Sequence, residues 1–497
     1  MSEIKTPVRV RFAPSPTGHM HLGSARTALY DYLIARQTAG QFILRIEDTD
    51  RKRYVEGAEK ELMDGMHWLG IDWDEGPDIG GPFGPYRQSE RKEIYVEHAR
   101  QLIAMGHAYY CFCSLEQLEK IKKEKQAKKE LPHYDGTCRY LDPDEAQKRV
   151  NNGENHVIRF KTPQEGTTKI LDLLRGEISI ENRTLDDFIL LKSDGWALYH
   201  LAATVDDHLM GITHVIRGSE WLPTLPLHAL IHRAFGWEEP IWVHLSVFLK
   251  PSGKGKMSKR EEADLTKDGY SIFIKDLQGL GYLPEAVINW IALMGWSLDD
   301  HTEYFDMVDL IQKFSLKRLN PSPAAINFAK LDYFNKEHIK TLSAIELAKR
   351  IKPFFTQRGL EVDNPTLQKI APIINERITT LDDSVDISSF FFRNELEYVE
   401  ERMKIEGLTM LETINVATEI YATLESLSIL KVEPTEIAMQ GLLLKLNLSP
   451  KQAFTFLRET ISAQRVTPPL FQSLEILGKS EVISRLGNAI HFLEKIE

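Results

Sequence analysis

The chain has 497 residues, of which 42% are hydrophobic and 27% charged, and its formal net charge is −11. That length exceeds one ordinary domain and supports roughly three or four. No run of about 18 or more apolar residues occurs, which argues against a membrane span, and three cysteines argue against a disulfide framework. Met1 to Lys5 lead straight into a strand-like stretch, so no signal peptide is expected and the expected compartment is the cytoplasm. The acidic total is only weak evidence against an RNA partner, because an acidic protein can carry one basic face.

Val8 to Phe12 alternates apolar and basic residues and predicts a strand, ended by Pro14 and Pro16. Gly23 to Ala35 carries a helical pattern, and Phe42 to Ile46 predicts a second strand. This strand–loop–helix–strand order predicts an α/β unit with a parallel sheet. Residues 93–192 differ in character. They hold all three cysteines, a lysine-rich helix from Leu115 to Lys129, and strand-like pieces at His156 to Phe160 and Glu177 to Ile180. They are read as an insertion into a first domain made of residues 1–92 and 193–240. The α/β pattern resumes near Trp196 and includes an apolar helix from Leu222 to Phe235. Residues 241–322 form the next unit, with a helix in Gly281 to Trp296. After Asn320-Pro321-Ser322-Pro323 the chain is helix-rich, so residues 323–497 are predicted all-helical.

The first chemical signal is Pro14-Ser15-Pro16-Thr17-Gly18-His19-Met20-His21-Leu22-Gly23-Ser24, placed where a strand gives way to a helix. A helix start offers unpaired N–H groups and partial positive charge, which suit phosphate. Gly23 lets a ligand approach the backbone, and His21 can donate to a phosphate oxygen. Taken alone, His21 reads first as an ordinary exposed histidine, as His19 does. No GxGxxG fingerprint occurs, and Gly255-Lys256 is followed by Met257, so neither a dinucleotide site nor a Walker A loop is predicted. The second signal is Ser252-Gly253-Lys254-Gly255-Lys256-Met257-Ser258-Lys259-Arg260. Lysines on a glycine-loosened loop can close over a triphosphate and stabilise charge as pyrophosphate leaves.

Together the two segments resemble the "HIGH" and "KMSKS" elements of class I aminoacyl-tRNA synthetases, in the right order. Ser24 stands where the first element usually ends in histidine, a replacement usual in the glutamyl subgroup. Four further stretches resemble bacterial glutamyl-tRNA synthetases: Arg45 to Arg51, Pro85 to Arg91, Val205 to Gly218, and Gly281 to Ala286. The resemblance is dense over residues 8–335 and thinner beyond.

It implies a Rossmann-like catalytic domain, an inserted α+β module in 93–192 that grips the acceptor end, and a stem-contact unit at 241–322. It also implies an anticodon-binding helical tail at 323–497. The implied reaction is activation of L-glutamate by ATP with Mg²⁺, followed by transfer to the 3′ end of tRNA(Glu), by a monomer without membrane partners. The implied catalytic residues are His21, Lys256 and Lys259. ATP would meet Pro14, Thr17, Gly18, His21, Gly23, Ser24, Glu220, Met257, Ser258, Lys259 and Arg260. Glutamate would meet Arg11, Ala13, Ser15, Glu47, Tyr199 and Arg217. Arginine suits a side-chain carboxylate as a planar, permanently charged fork.

Family members also carry Cys-x-Cys…Cys-x-His where this chain has Cys111, Cys113, Cys138 and Tyr140, a candidate zinc site with Tyr134 or His133 as substitutes for the last ligand. The lysines between Lys120 and Lys129 read as a solvated helix face or as phosphate contacts. Rival readings are an enzyme that also charges tRNA(Gln), a shortened tRNA-modifying relative, a HxGH nucleotidyltransferase, and a non-catalytic RNA-binding descendant. The lysine loop and long helical tail count against the last three.

Overall fold

The computed structural model describes residues 7–50, 52–255, 257, 265 and 269–497. They form two compact units: the described residues up to Leu277 together with Val287–Phe328, and Gln278–Ala286 together with Ala329–Glu497. Among the described residues no helix is long and apolar enough to cross a membrane.

The first unit opens with β1 (Arg9–Phe12), α1 (Leu22–Gln37) and β2 (Gln41–Leu44). β1 and β2 pair in parallel, from Arg9 opposite Gln41 to Phe12 opposite Leu44. The turn into β2 is tight: a Cβ on Gly40 would stand 2.1 Å from the Val8 carbonyl oxygen, so only glycine lets the backbones meet. After α2 (Ala58–Trp68) come α3 (Lys92–Ala104), β3 (Ala108–Cys111), α4 (Leu115–Ala127), α5 (Pro143–Asn151) and β4 (Val157–Phe160). Then follow β5 (Thr167–Asp172), β6 (Gly176–Glu181), β7 (Ile189–Leu191), α6 (Tyr199–Leu209), β8 (His214–Gly218), α7 (Leu225–Phe235) and β9 (Ile241–Leu245).

β8 and β9 pair in parallel from His214–Ile241 to Gly218–Leu245. The start of β8 lies beside β1: the Thr213 N–H donates to the Arg9 carbonyl and the Arg9 N–H to Thr213 Oγ1, both at 2.9 Å. Val10, Ile43, Val215, Ile216 and Val243 are all fully buried. Such apolar runs are what parallel strands covered on both faces require. The expected α/β sheet is therefore present, with its strand ends facing one rim.

The stretch expected as an insertion divides its loyalties. β3, β4 and β7 make a three-stranded antiparallel sheet. Its core is shared with the flanking helices, through Tyr95, Leu102, Ile158, Leu190, Leu201 and Ile231. The β5–β6 hairpin instead joins the main sheet, with Asp172 opposite Trp242 in a parallel step between β5 and β9.

Several boundaries differ from expectation for clear reasons. α4 stops at Ala127 because Lys129 adopts a left-handed backbone, φ 60°. The helix expected from Leu222 starts at Leu225, after a 3-10 turn over Ser219–Thr224. Pro223 and Pro226 bring no N–H, so the α-helical ladder starts only there. The helix expected within Gly281 to Trp296 covers Pro284–Leu293. Phe248–Leu249 (β10) pairs in parallel with Ala324–Ala325 (β11).

The second unit is helical throughout its described length. Met410–Ser426, Val432–Leu446, Pro450–Ser462 and Lys479–Ile496 pack around Ala417, Ile420, Met439, Phe456, Leu486 and Leu493. Thr409 with Glu412, and Ser449 with Gln452, form reciprocal caps that fix two of these helix starts.

Candidate active site

The parallel strands end along one rim, where ligands of open α/β sheets bind. Beyond β1 and β2 the pairing continues: Arg45 N–H donates to the Phe12 carbonyl at 3.0 Å and Glu47 N–H to the Pro14 carbonyl at 2.9 Å. Ala13, Pro14 and Ser15 are thereby drawn up beside Glu47, and His21 stands at the start of α1.

His21 is the N-cap residue of α1. Its Nδ1 accepts from the N–H groups of Gly23 at 3.1 Å and Ser24 at 3.3 Å, and its Nε2 lies 3.2 Å from Ser24 Oγ. An Nδ1 that accepts backbone N–H bonds leaves the ring proton on Nε2. The sequence reading left those two N–H groups open for phosphate; here the histidine ring occupies them. Nearby, Thr17 and Gly18 are half-buried, with Gly18 at φ 152°. His19 is exposed and paired with Glu61 at 2.5 Å, in keeping with a surface role.

A dense ionic cluster lies behind β1 and β2. Arg11 Nε donates to Asp207 Oδ1 at 2.9 Å, and Arg45 Nη1 donates to the same oxygen at 2.8 Å. Arg45 Nη2 holds Glu47 Oε1 at 3.0 Å. The neighbouring Asp206 accepts from Arg91, Gln88 and Tyr95 at 2.7, 2.9 and 2.8 Å. Arg11, Arg45, Glu47, Asp206 and Asp207 are all buried. Burial alone disfavours the Asp207 anion, but Arg11 and Arg45 prevail and pull it down to about 2. Burial raises Glu47 despite Arg45 and Arg11.

Arg217, at the end of β8, is placed differently. Its Nε donates to His244 Nε2 at 3.0 Å and its Nη1 to Tyr199 Oη at 3.2 Å. Its Nη2 is buried with no hydrogen-bond partner. Burial, countered by Tyr199 and reinforced by Arg11, holds the guanidinium below its usual range. Tyr199 feels Arg217, Glu47, Arg11 and Asp207 together, and its ring lies against Trp221 at 4.6 Å. Arg11, Glu47, Tyr199 and Arg217 therefore lie close enough to act on one another's charge, and the backbone of Ala13 to Ser15 runs beside Glu47.

Glu220 is exposed on the 3-10 turn after β8. A Cβ on Gly218 would stand 2.2 Å from Glu220 Oε2, so glycine there is what lets the carboxylate fold back over the strand end. Lys256, Ser258, Lys259 and Arg260 lie outside the described residues. The loop that leads to them closes through Lys250 N–H to the Gly255 carbonyl at 3.1 Å, and Met257 is half-buried with its N–H 3.4 Å from the Phe248 carbonyl. Arg26 of α1 ties the loop base to the histidine helix. Its guanidinium lies 4.0 Å over the Phe248 ring, donates to the Met294 carbonyl at 2.8 Å, and also donates to the Ser246 carbonyl.

The cysteines converge apart from this rim. The three sulfur atoms of Cys111, Cys113 and Cys138 lie within 4.8 Å of one another. Tyr134 Oη is 3.5 Å from Cys111 Sγ and 3.3 Å from Cys113 Sγ. Tyr140 does not join them: it is 78% exposed, with its ring 6.0 Å from the Arg139 guanidinium. The residue two positions after Cys138 is carried outward by the turn, whereas Tyr134 is held over the thiols by its own N–H bond to Asp186 at 3.0 Å. Hydrogen bonding from Cys138, opposed by burial and helped by Tyr134, pulls the Cys111 thiol down to about 4.

Sequence reasoning missed Asp207, Asp206, Arg91, His244 and Asp172. The aspartates had a signal, two adjacent carboxylates that follow the small and apolar run Leu201-Ala202-Ala203-Thr204-Val205. His244 and Asp172 had none, because only the sheet brings them to Arg217.

A parallel sheet with a histidine-capped helix at its rim, backed by arginines and leading to a lysine loop, defines a nucleotide-using class I synthetase core. Residues 7–333 match the family model described as "tRNA synthetases class I (E and Q), catalytic domain", and residues 346–490 match an anticodon binding domain. The chain belongs to this class I tRNA synthetase family. It is 42% identical over 496 residues to the glutamate–tRNA ligase of Dehalococcoides mccartyi, covering 98% of this chain and 99% of that protein. It is 40% identical to that of Borrelia recurrentis, covering 99% and 96%. The crystal structure of a glutamate tRNA ligase from Elizabethkingia meningosepticum, in complex with its amino acid, superposes with a TM-score of 0.89 at 37% identity, covering 98% of this chain and 99% of that one.

Proposed function

We propose that the chain is a glutamate–tRNA ligase that makes glutamyl-adenylate from L-glutamate and ATP and passes the glutamyl group to the 3′ end of tRNA(Glu). The observation that carries the amino-acid assignment is Arg217 Nη2, a buried cationic donor without a partner. Leaving such a group unpaired costs about 1–3 kcal/mol or more, a cost that an anionic side chain of the substrate relieves. Relatives of similar length named as glutamate–tRNA ligases support the same reading.

In this reading the glutamate side-chain carboxylate meets Arg217 and Arg11, the α-amino group meets Glu47, and Ala13, Ser15 and Tyr199 line the pocket. The α-carboxylate oxygen attacks the α-phosphorus of ATP, and the bond to the pyrophosphate oxygen breaks. Mg²⁺ accompanies ATP and neutralises phosphate charge. His21 Nε2–H, which lies against Ser24 Oγ, is the donor that would pass to a phosphate oxygen, with Gly18, Gly23 and Ser24 around it. Pro14 and Thr17 flank the nucleotide, and Glu220 takes the ribose. Lys256, Met257, Ser258, Lys259 and Arg260 close over the phosphates. The terminal ribose hydroxyl of tRNA then attacks the mixed anhydride and releases AMP.

Residues 93–192, apart from the β5–β6 hairpin that joins the main sheet, grip the acceptor end, 241–322 contact the stem, and 323–497 read the anticodon. The three converging thiols are three of the four donors that a structural zinc takes, with Tyr134 Oη the nearest oxygen beside them, and a zinc there would pin the segment between Cys111 and Cys138. The protein works in the cytoplasm as a monomer.

ATP–pyrophosphate exchange with glutamate, run with and without tRNA, tests the reading. Exchange that stays at background under both conditions removes it. Lys259→Ala should lower exchange about 10²–10³-fold, and a change within about threefold would remove that lysine from catalysis. Charging tRNA(Glu) and tRNA(Gln) side by side separates a discriminating enzyme from one that accepts both.

A further inference from the structure

Arg217 stands at the end of a buried chain of hydrogen bonds that starts in the inserted stretch. An arginine Nε only donates, so His244 Nε2 must accept, which leaves the imidazole proton on Nδ1. That Nδ1–H donates to Asp172 Oδ2 at 2.7 Å. Asp172 also accepts from the His244 backbone N–H at 3.1 Å, and its other oxygen accepts from Leu174 N–H at 3.0 Å and Arg175 N–H at 2.8 Å. Asp172 is the last residue of β5 and closes the β5–β6 turn. From the same turn Arg175 reaches over, with Nε 3.3 Å from the His244 carbonyl and Nη1 2.8 Å from the Pro321 carbonyl. Asp172 and His244 are 1% and 0% exposed, so water does not compete for these bonds.

We infer that the β5–β6 hairpin completes the amino-acid site: Asp172 and His244 are positioning residues that aim Arg217 at the substrate's side-chain carboxylate. The inference rests on the glutamate-binding reading of Arg217. A neutral histidine is the partner this role needs. It fixes one edge of the guanidinium without cancelling its charge, whereas a carboxylate at 244 would compete with the substrate. Tyr199 fixes a second edge, and Nη2 remains for the ligand. Asp172 locks the tautomer, since a proton on Nε2 would face the Arg217 N–H and expel it. Arg11 differs, because Asp207 already answers its charge. The uncompensated cation at Arg217 therefore demands an anion and disfavours the neutral amide of glutamine.

The test uses the full chain with tRNA, read by ATP–pyrophosphate exchange and by thermal unfolding. His244→Met should raise the KM for glutamate about tenfold or more, leave the KM for ATP within about threefold, and cut the glutamate-over-glutamine ratio of kcat/KM about tenfold. His244→Gln should return these values to within about threefold of wild type, because its amide oxygen accepts from Arg217 while its NH₂ donates to Asp172. An unchanged glutamate KM in His244→Met, or equal losses in the Met and Gln variants, would overturn the inference. Should His244→Met not fold, Asp172→Asn decides. It keeps the Leu174 and Arg175 bonds on the other oxygen, gives up the bond from the His244 backbone N–H, and presents N–H to His244 Nδ1, reversing the tautomer; it should raise the glutamate KM about tenfold. No rise there overturns the inference too. Arg217→Gln separates the two levels: an unchanged glutamate KM in that variant refutes the reading of Arg217 itself, whatever His244 does.

Discussion

Arg11 and Asp207 form an ion pair with Nε 2.9 Å from Oδ1, and both side chains are almost wholly removed from water. The same carboxylate oxygen takes Arg45 at 2.8 Å, and Arg45 in turn holds Glu47. One aspartate from helix α6 thus organises two strands whose ends meet the proposed substrate. Such a pair adds little net stability over apolar packing, but breaking it from one side strands a charge.

Asp207→Asn should therefore destabilise the protein by about 3 kcal/mol, read by urea unfolding at neutral pH. The pH dependence has a definite sign. The folded Asp207 sits at about 2, below its ordinary value of 3.8, so its contribution is present above pH 4 and is lost as pH falls toward 2. It amounts to about 2 kcal/mol across that window. Asp31 and Glu47, both raised by burial, act in the opposite direction. The difference between wild type and Asp207→Asn isolates the Asp207 contribution, and a difference that does not shrink between pH 5 and pH 2 would contradict the assignment.

Asp31, on α1, has both carboxylate oxygens buried without hydrogen-bond partners. Burial pushes it well above the carboxylate range, against the pull of Arg11. A raised carboxyl favours the fold below its unfolded pKa, and that favour is lost as pH rises toward the folded value. Asp31→Asn should stabilise the protein at pH 7.5 by about 1 kcal/mol, and by much less near pH 4. A lower melting temperature at pH 7.5 would mean that the carboxylate has a partner in solution.

Gly218→Ala tests the placement of Glu220. The new methyl would collide with the Glu220 carboxylate at 2.2 Å, and because that side chain is exposed it swings away at little cost to folding. The KM for ATP should rise about fivefold while the glutamate KM and the melting temperature hold. An unchanged ATP KM would remove Glu220 from the ribose.

For the cysteine cluster, metal analysis of the purified protein should give about one zinc per chain. Tyr140→Phe should keep it and Tyr134→Phe should lower it, because Tyr134, unlike Tyr140, reaches the thiols. Less than about a tenth of an equivalent in the wild type would remove zinc.

The sequence by itself determined the local pieces: where β1 ends and α1 begins, the helical tail and the basic loop, while the arginines and glutamate of the rim were singled out by resemblance. Those follow from periodicity, from proline and glycine, and from motifs contiguous in the chain. Even so, it read the start of α1 as open to phosphate, whereas the fold turns His21 back onto the Gly23 and Ser24 N–H groups. Tertiary structure alone decided which charges are answered. Arg11 meets Asp207 across 196 residues, and Arg217 meets His244 and then Asp172 across 27 and 72. No spacing rule reaches that far, since partners so distant in sequence are set by strand order and burial. Burial is also what makes the difference between a paired and an unpaired arginine large.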